Sequence, residues 1–421
     1  MNSPYSLFEA VGVELEYMIV DRESLEVRPI ADELLLQAAI EAQSNLDGDQ
    51  PSDFEFEGAV WSNELALHVI EMKTEEPART LMGLAAIFDE SVERMNTLLA
   101  PMHARLMPGG MHPWMNPDKE MVLWPHDYAE VYSVFDRIFG CKGHGWANLQ
   151  SVHINLPFRG EAEFAKLHAA IRLLLPILPA LAASSPVMDG VVTGRMDNRL
   201  EVYRTNSRKL PSMTGRVIPE PVFTNADYDR QIFQRIYKDL EPLDPEGVLR
   251  HEWANARGAI ARFSRGSIEI RVLDVQECPH ADLAMVAVIV QALKDCVRER
   301  WRPLERQKAW SIDQLEPIFL ACVKDADEAV IADAEYLAMW GFGAASTGKP
   351  VTAGQLWRHI IAQVSDHLTP ADRKCLDVIS NEGPLARRLT RALGPNPNRA
   401  TMHRVYDRLA HCLSDGRMYV S

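Results

Sequence analysis

The sequence predicts an α+β fold built on an antiparallel β-sheet, with a helical segment at the C-terminal end. Two patterns carry this expectation. Up to about residue 300, strand-like and helix-like stretches are mixed, and no regular crossover helices separate the strands. A parallel sheet needs such crossovers. Beyond about residue 310 the apolar residues follow helical spacing almost throughout. The expected division is a body over residues 1–305 and a helical segment over 306–421 packed against it.

The elements follow in order. Residues 9–20 read as a strand, Asp21 to Ser24 as a turn, and Leu25 to Arg28 as the returning strand of a hairpin. Residues 31–43 have helical periodicity, and 44–52 are polar and turn-rich. Phe54 to Val60 and Ala66 to Thr74 read as a strand pair. A long helix is expected from Pro77 to about Arg105, with apolar residues at Leu81, Leu84, Phe88, Val92, Met95 and Leu99. A rigid loop spans Met107 to Trp114, and 127–139 look helical. Gly140 to Gly145 form a glycine-rich turn before a strand from Leu149 to Leu156. Helix 161–183 comes next, then an irregular, arginine-rich stretch to about Pro221. Helix 226–240, a strand at 267–274 and an apolar helix over 281–300 complete the body. Helices are expected at 312–340, 353–365, 369–391 and 399–414.

Bulk properties bound the function. The 421 residues are 47% hydrophobic and 24% charged, ordinary for a globular protein with a sizeable core. The net charge of −15 argues against nucleic acid and anionic membrane as partners, since both attract basic surfaces. It does not exclude a phosphate substrate, because bound metals and local arginines invert the field locally. The six cysteines show no Cys-x-x-Cys spacing and read as reduced thiols. No basic-then-apolar leader opens the sequence, and the apolar run from Ile171 to Pro186 is short and broken by Pro176 and Pro179. A cytoplasmic location is the expectation.

The chemistry is concentrated in four short segments. Val13-Glu14-Leu15-Glu16-Tyr17 and Glu64 to Glu71 carry acids among aliphatic residues. Ser151-Val152-His153-Ile154-Asn155 and Ser267-Ile268-Glu269-Ile270-Arg271 answer them. Side chains alternate across a strand, so Glu14 and Glu16 share a face, as do His153 and Asn155, and Glu269 and Arg271. An alternating acidic face is ordinarily a solvated one. Four such segments in one chain point elsewhere: to a sheet floor whose clustered carboxylates are neutralised by hard cations such as Mg²⁺. Glu64 and Glu71 lie an odd number apart, so Glu64 is expected in the turn before the strand, reaching in from its end. His68 and His112 read as structural histidines. Gly343 to Pro350 imitates a phosphate loop but ends in Pro350 and follows a helix, so Lys349 is expected to take no part in nucleotide binding.

These segments, with Ala182-Ala183-Ser184-Ser185-Pro186 and the run from Gly266 to Gln276, resemble the glutamate–cysteine ligase superfamily, closest to its bacterial carboxylate–amine ligase branch. The resemblance covers roughly residues 8–300 in motif order. It implies a glutamine synthetase-like catalytic fold, a curved antiparallel funnel with helices outside, and ATP with Mg²⁺ (or Mn²⁺). It implies metal ligation by Glu14, Glu16, Glu64, Glu71, His153 and Glu269, with His153 and Asn155 near the ATP phosphates. Arg271 would steady the transferred phosphate. Among Arg195, Arg199 and Arg204, Arg204 is the expected partner of the acid substrate, since an arginine fork suits a carboxylate. The implied partners are a small carboxylate, glutamate first, and an amine such as cysteine, within a chain free to form a homo-oligomer. Ammonia or another amine as acceptor, and a non-catalytic ATP-binding regulator, are the alternatives.

Overall fold

The structure, a computed structural model, describes residues 4–44, 50–343 and 350–420. Its centre is an eight-stranded antiparallel sheet. Strand β1 (Gly12–Asp21) is followed by β2 (Asp53–Phe56), β3 (Ala59–Asn63), β4 (Val69–Thr74), β5 (Ala104–Met107) and β6 (Ser151–Pro157). A short ribbon, β7 (Val187–Met188) and β8 (Val191–Val192), stands apart. Strands β9 (Ala259–Arg262) and β10 (Ser267–Asp274) complete the sheet, whose order is β2-β3-β4-β1-β6-β10-β9. The ten-residue β1 is long enough to serve two neighbours on one edge: β6 pairs with its first half and β5 with its second.

Strict alternation makes the sheet two-faced. Val13, Leu15, Tyr17, Ile70, Met72, Val152, Ile154, Ile268 and Ile270 are fully buried on one side. Helices Leu84–Leu99, Gly160–Leu174 and Pro279–Val297 lie in the same apolar core, the last packing on the other two. The helical run Gly160–Ala182 is long and apolar enough to cross a membrane, yet it is buried within the fold. Tyr336 and Trp357 donate to the Leu173 and Ile177 carbonyls inside it.

Several expectations need correction. The stretch Phe54 to Val60 is not one strand. Glu57 and Gly58 both have positive φ, 49° and 91°, and turn β2 into β3 as a two-residue hairpin. Only Val27, bridging Val20, remains of the expected returning strand near Arg28. Pro77 stands outside the helix, which starts at Leu84 after Gly83 in the left-handed region (φ 87°). That helix ends early, and Ala104–Met107 breaks away as β5. Strand β9 was missed because Ala259–Arg262 is too short and alanine-rich to stand out. The stretch expected to be irregular holds a helix, Asn198–Asn206, capped by the Asp197 side chain. The capping box of Thr352 and Gln355 is present, whereas most of the Gly343–Pro350 segment, Lys349 included, lies outside the described residues.

Residues beyond 306 pack on the body at several places, and the last two helices add two more. Helices Leu385–Leu393 and Arg399–Ser414 form a second apolar cluster with Met18, Val20 and Met107 at the far end of β1 and β5. Deeper, Arg388 and Glu277 form a fully buried ion pair. Arg388 also donates to the Tyr419 carbonyl at 2.6 Å, and the Tyr419 amide donates to Glu277 at 3.2 Å. Removing one partner of a buried pair strands the other charge. Arg388→Ala is therefore expected to destabilise the fold by about 3–5 kcal/mol, measured by denaturant unfolding.

Candidate active site

The face of the sheet opposite the core is polar around the first half of β1, whereas its far end carries Met18, Val20 and Met107 beneath the C-terminal helices. Register alone assembles the polar part, because directly paired residues of antiparallel strands share a face. Glu14 pairs with Lys73 on β4 and with His153 on β6, and Glu16 pairs with Glu71. Asn155 pairs with Glu269, and Ser62 with Glu71. Glu64 lies in the connection after β3. A one-residue bulge interrupts the β6–β10 register between Ile270 and Leu273, and bulges commonly re-aim side chains beside active sites. Here it puts Asp274 opposite Ser151, on the polar side that carries Glu269.

Hydrogen bonds fix the acids. Ser151 donates to Glu16 from both its amide (2.7 Å) and its hydroxyl (2.9 Å). His153 Nδ1 lies 2.9 Å from Glu14, and the Asn155 amide donates to the other Glu14 oxygen at 2.9 Å. Lys73 Nζ is 2.7 Å from Glu71, and the Ser62 hydroxyl donates to the same oxygen at 2.8 Å. Glu269 is held by Arg262 at 2.8 Å and by Arg271 at 3.0 Å.

The charges are unevenly balanced. Burial and the Glu269 charge raise Glu14, burial and the charges of Glu16 and Glu71 push Glu64 well up, and burial with Glu14 raises Glu71 despite Lys73. Burial also favours neutral His153. Burial would raise Glu269 too, but the Arg271 and Arg262 guanidiniums outweigh it and hold it at about 2. Two groups of donor atoms result: Glu14, Glu71 and His153, and Glu16, Glu64 and Glu71, each within 4.8 Å of one another. Crowded, buried carboxylate oxygens with raised proton affinity fit Mg²⁺ or Mn²⁺. Glu269 shares the face but belongs to neither group, since both its oxygens meet arginines.

A cavity of about 230 Å³ opens onto this floor, lined by Glu16, Glu64, His153 and Arg271 and by the helix Asn198–Asn206. Arg199, Tyr203 and Asn206 point into it at i, i+4 and i+7. Arg204 falls off that stripe: it is exposed and paired with Glu201 at 2.7 Å, where Arg195 also reaches. Arg204, expected at the substrate site, therefore stands outside the cavity; buried Arg199 lines it instead, approaching Asp274 to 3.5 Å and donating to the Arg271 carbonyl at 2.9 Å. Asp274 in turn accepts from the Ser184 amide (2.8 Å) and the Ser185 hydroxyl (2.7 Å), which gives the Ser-Ser-Pro run its structural purpose.

Sequence reading missed Lys73, Arg262, Ser151 and Asp274. The signal for Lys73 was its place two residues from Glu71, on the same face. Arg262 had none while β9 went unseen. Gly145 of the glycine-rich turn belongs to a short helix, His144–Ala147, on the cavity wall. A Cβ there would meet Asn206 Oδ1 at 2.4 Å, so only glycine permits the Asn206 amide to reach the Gly145 carbonyl at 2.6 Å.

Residues 10–335 match the model of glutamate-cysteine ligase family 2 (GCS2). The chain belongs to this family. An uncharacterised protein of Archaeoglobus fulgidus is 36% identical over 284 residues, 68% of this chain and 74% of its own. The putative glutamate–cysteine ligase 2-1 of Corynebacterium efficiens is 21% identical over 337 residues, 77% and 79% of the two chains. The glutamate–cysteine ligase of Francisella tularensis, solved in complex with AMP, superposes with a TM-score of 0.55 at 13% identity, covering 99% of this chain and 91% of that one. That likeness confirms a glutamate–cysteine ligase-like fold with an antiparallel sheet.

The raised carboxylates set a sign for metal binding. A carboxyl group with raised proton affinity in the folded state costs stability as pH climbs through its range, and protonation restores it. Glu269 acts oppositely, its contribution being lost only as pH falls towards about 2. Mg²⁺ is therefore expected to raise the melting temperature more at about pH 8 than at about pH 5.5, with proton release on binding. Glu64→Gln is expected to raise the metal-free melting temperature at about pH 8 and to shrink the Mg²⁺ response. Differential scanning calorimetry with and without the ion checks both.

Proposed function

We propose that this family member is an ATP-dependent carboxylate–amine ligase that activates a small carboxylic acid, the γ-carboxylate of glutamate first, as an acyl phosphate. One observation carries the reading: two overlapping carboxylate groups share one sheet face with Arg271, which stands at the wall of the adjoining cavity.

A carboxylate does not acylate an amine at neutral pH, because its oxygen is a poor leaving group. Transfer of the ATP γ-phosphoryl to that oxygen releases ADP and creates a better one. The amine nitrogen then attacks the carbonyl carbon, the C–O bond to phosphate breaks, and the amide forms as the nitrogen loses its proton. Such transfers are accelerated chiefly by positioning and charge stabilisation. Mg²⁺ or Mn²⁺, held by Glu14, Glu16, Glu64, Glu71 and His153, would supply Lewis-acid neutralisation of the phosphates. The chain's own residues do the rest. Asn155 and Ser151 hold Glu14 and Glu16 in place. Glu269, kept ionised between two arginines, fixes the Arg271 guanidinium. Arg271 contributes a positive charge where phosphate oxygens gain charge in the transition state.

The direct test is ADP release with Mg²⁺–ATP across panels of acids and amines, with product mass. ADP release from no combination rejects the reading. Arg271→Ala is expected to lower kcat by on the order of 10²-fold or more. ATP binding, followed by isothermal titration, should weaken far less. Arg271→Lys should restore only part of the rate, since it lacks the planar fork.

A further inference from the structure

The cavity beside the carboxylates has two unlike ends. Its floor is charged, but its wall is aromatic. Tyr132, Phe135, Trp146, Tyr203 and Trp253 line it, with Met213. The rings come from separate elements and brace one another: Phe135 lies 5.1 Å from Trp146 and 5.8 Å from Trp253, centroid to centroid. Trp146 is carried by the His144–Ala147 helix that Gly145 seats against Asn206. We infer that this wall receives the amine substrate, and that the acceptor is a primary amine with an aromatic or bulky apolar body and no carboxylate of its own. The inference rests on the ligase reading above and names the acceptor class that reading leaves open.

Three observations support it. First, an α-amino acid acceptor such as cysteine would bring a carboxylate that needs a free cation. Among the described residues, the cations lining the cavity are Arg199, committed to Asp274 and to the Arg271 carbonyl, and Arg271, paired with Glu269 and assigned above to the transferring phosphate. A buried carboxylate facing rings alone is unfavourable. Second, aromatic rings carry negative faces, which attract an ammonium and repel a carboxylate. The wall therefore suits the amine better than the acid. Third, the enclosed space of about 230 Å³ beside the rings matches one small molecule better than a whole nucleotide with base, ribose and three phosphates. The rings are thereby assigned to the acceptor and not to adenine.

The test uses the full-length protein, Mg²⁺–ATP and whichever acid supports ADP release in the panel above. Phenethylamine, cysteine and ammonium are compared as acceptors, with product mass. The expected result is a kcat/KM for phenethylamine at least ~10-fold above those for cysteine and ammonium. Trp253→Ala is expected to raise the phenethylamine KM by ~10-fold or more, the scale of losing an aromatic anchor, with a much smaller change in kcat. Trp253→Phe, which keeps a ring, should recover most of the affinity, and melting curves of both variants identify any that misfold. Turnover favouring cysteine or ammonium would overturn the inference while leaving the ligase reading intact. A large loss of ATP affinity in Trp253→Ala would also overturn it, by assigning the wall to the base. No ADP release with any acid–amine combination would instead overturn the ligase reading itself, and phenethylamine quenching of tryptophan fluorescence without ATP reports the wall's preference separately.

Discussion

Everything in this molecule is arranged around keeping several negative charges close together in a partly dehydrated space. Glu14, Glu16, Glu64 and Glu71 meet on one side of a sheet whose other side is fully apolar. Isolated, each charge would be expelled or protonated. The fold tolerates them because the cost is distributed. Ser62, Ser151 and Asn155 donate hydrogen bonds, and Lys73, Arg262 and Arg271 lend positive charge. The compensation is incomplete: three of the acids keep raised proton affinities while Glu269 does not. Incomplete compensation leaves room for a cation, and complete pairing would have closed the site.

The apolar side makes that crowding possible. Interlocked helices under the sheet fix strand positions, and a register slip of one residue would send Glu14 and Glu16 into the core. Register is thus enforced from both sides, by Leu15 and Tyr17 seeking burial and by Glu14 and Glu16 rejecting it. Among the described strands, β10 departs from regular pairing by its bulge. The bulge lets a single strand present Glu269 to the acidic floor and Asp274 to the Ser184–Ser185 loop on the same side.

Much of this was legible in the sequence because period-two alternation is a strong local signal. Strands carrying Glu14, His153 and Glu269 could be read from β-branched neighbours, and the parity of Glu64 and Glu71 placed Glu64 off the strand. The parts that stayed hidden depend on partners distant in the chain. Strand β9 is four residues long and is defined by pairing with β10, so Arg262 had no visible role. Arg204 and Arg199 look alike in sequence. Only the helix Asn198–Asn206, nucleated by the Asp197 cap, sends one inward and leaves the other in solvent. The Glu57–Gly58 hairpin hid inside an apparently continuous strand because an acidic residue occupies a left-handed position usually given to asparagine or glycine.

The buried pair of Glu277 and Arg388 also has a temporal meaning. Glu277 leaves the end of the strand that carries Glu269 and Arg271, yet its guanidinium partner lies 111 residues later and its amide partner 142 residues later. During synthesis strand β10 is complete long before either partner has emerged. Until then Glu277 cannot be sealed from water without an unanswered charge, so the exit of β10 must stay hydrated. Closing such a long loop is entropically slow. Burial of Glu277 is thereby tied to the arrival of Arg388 and Tyr419.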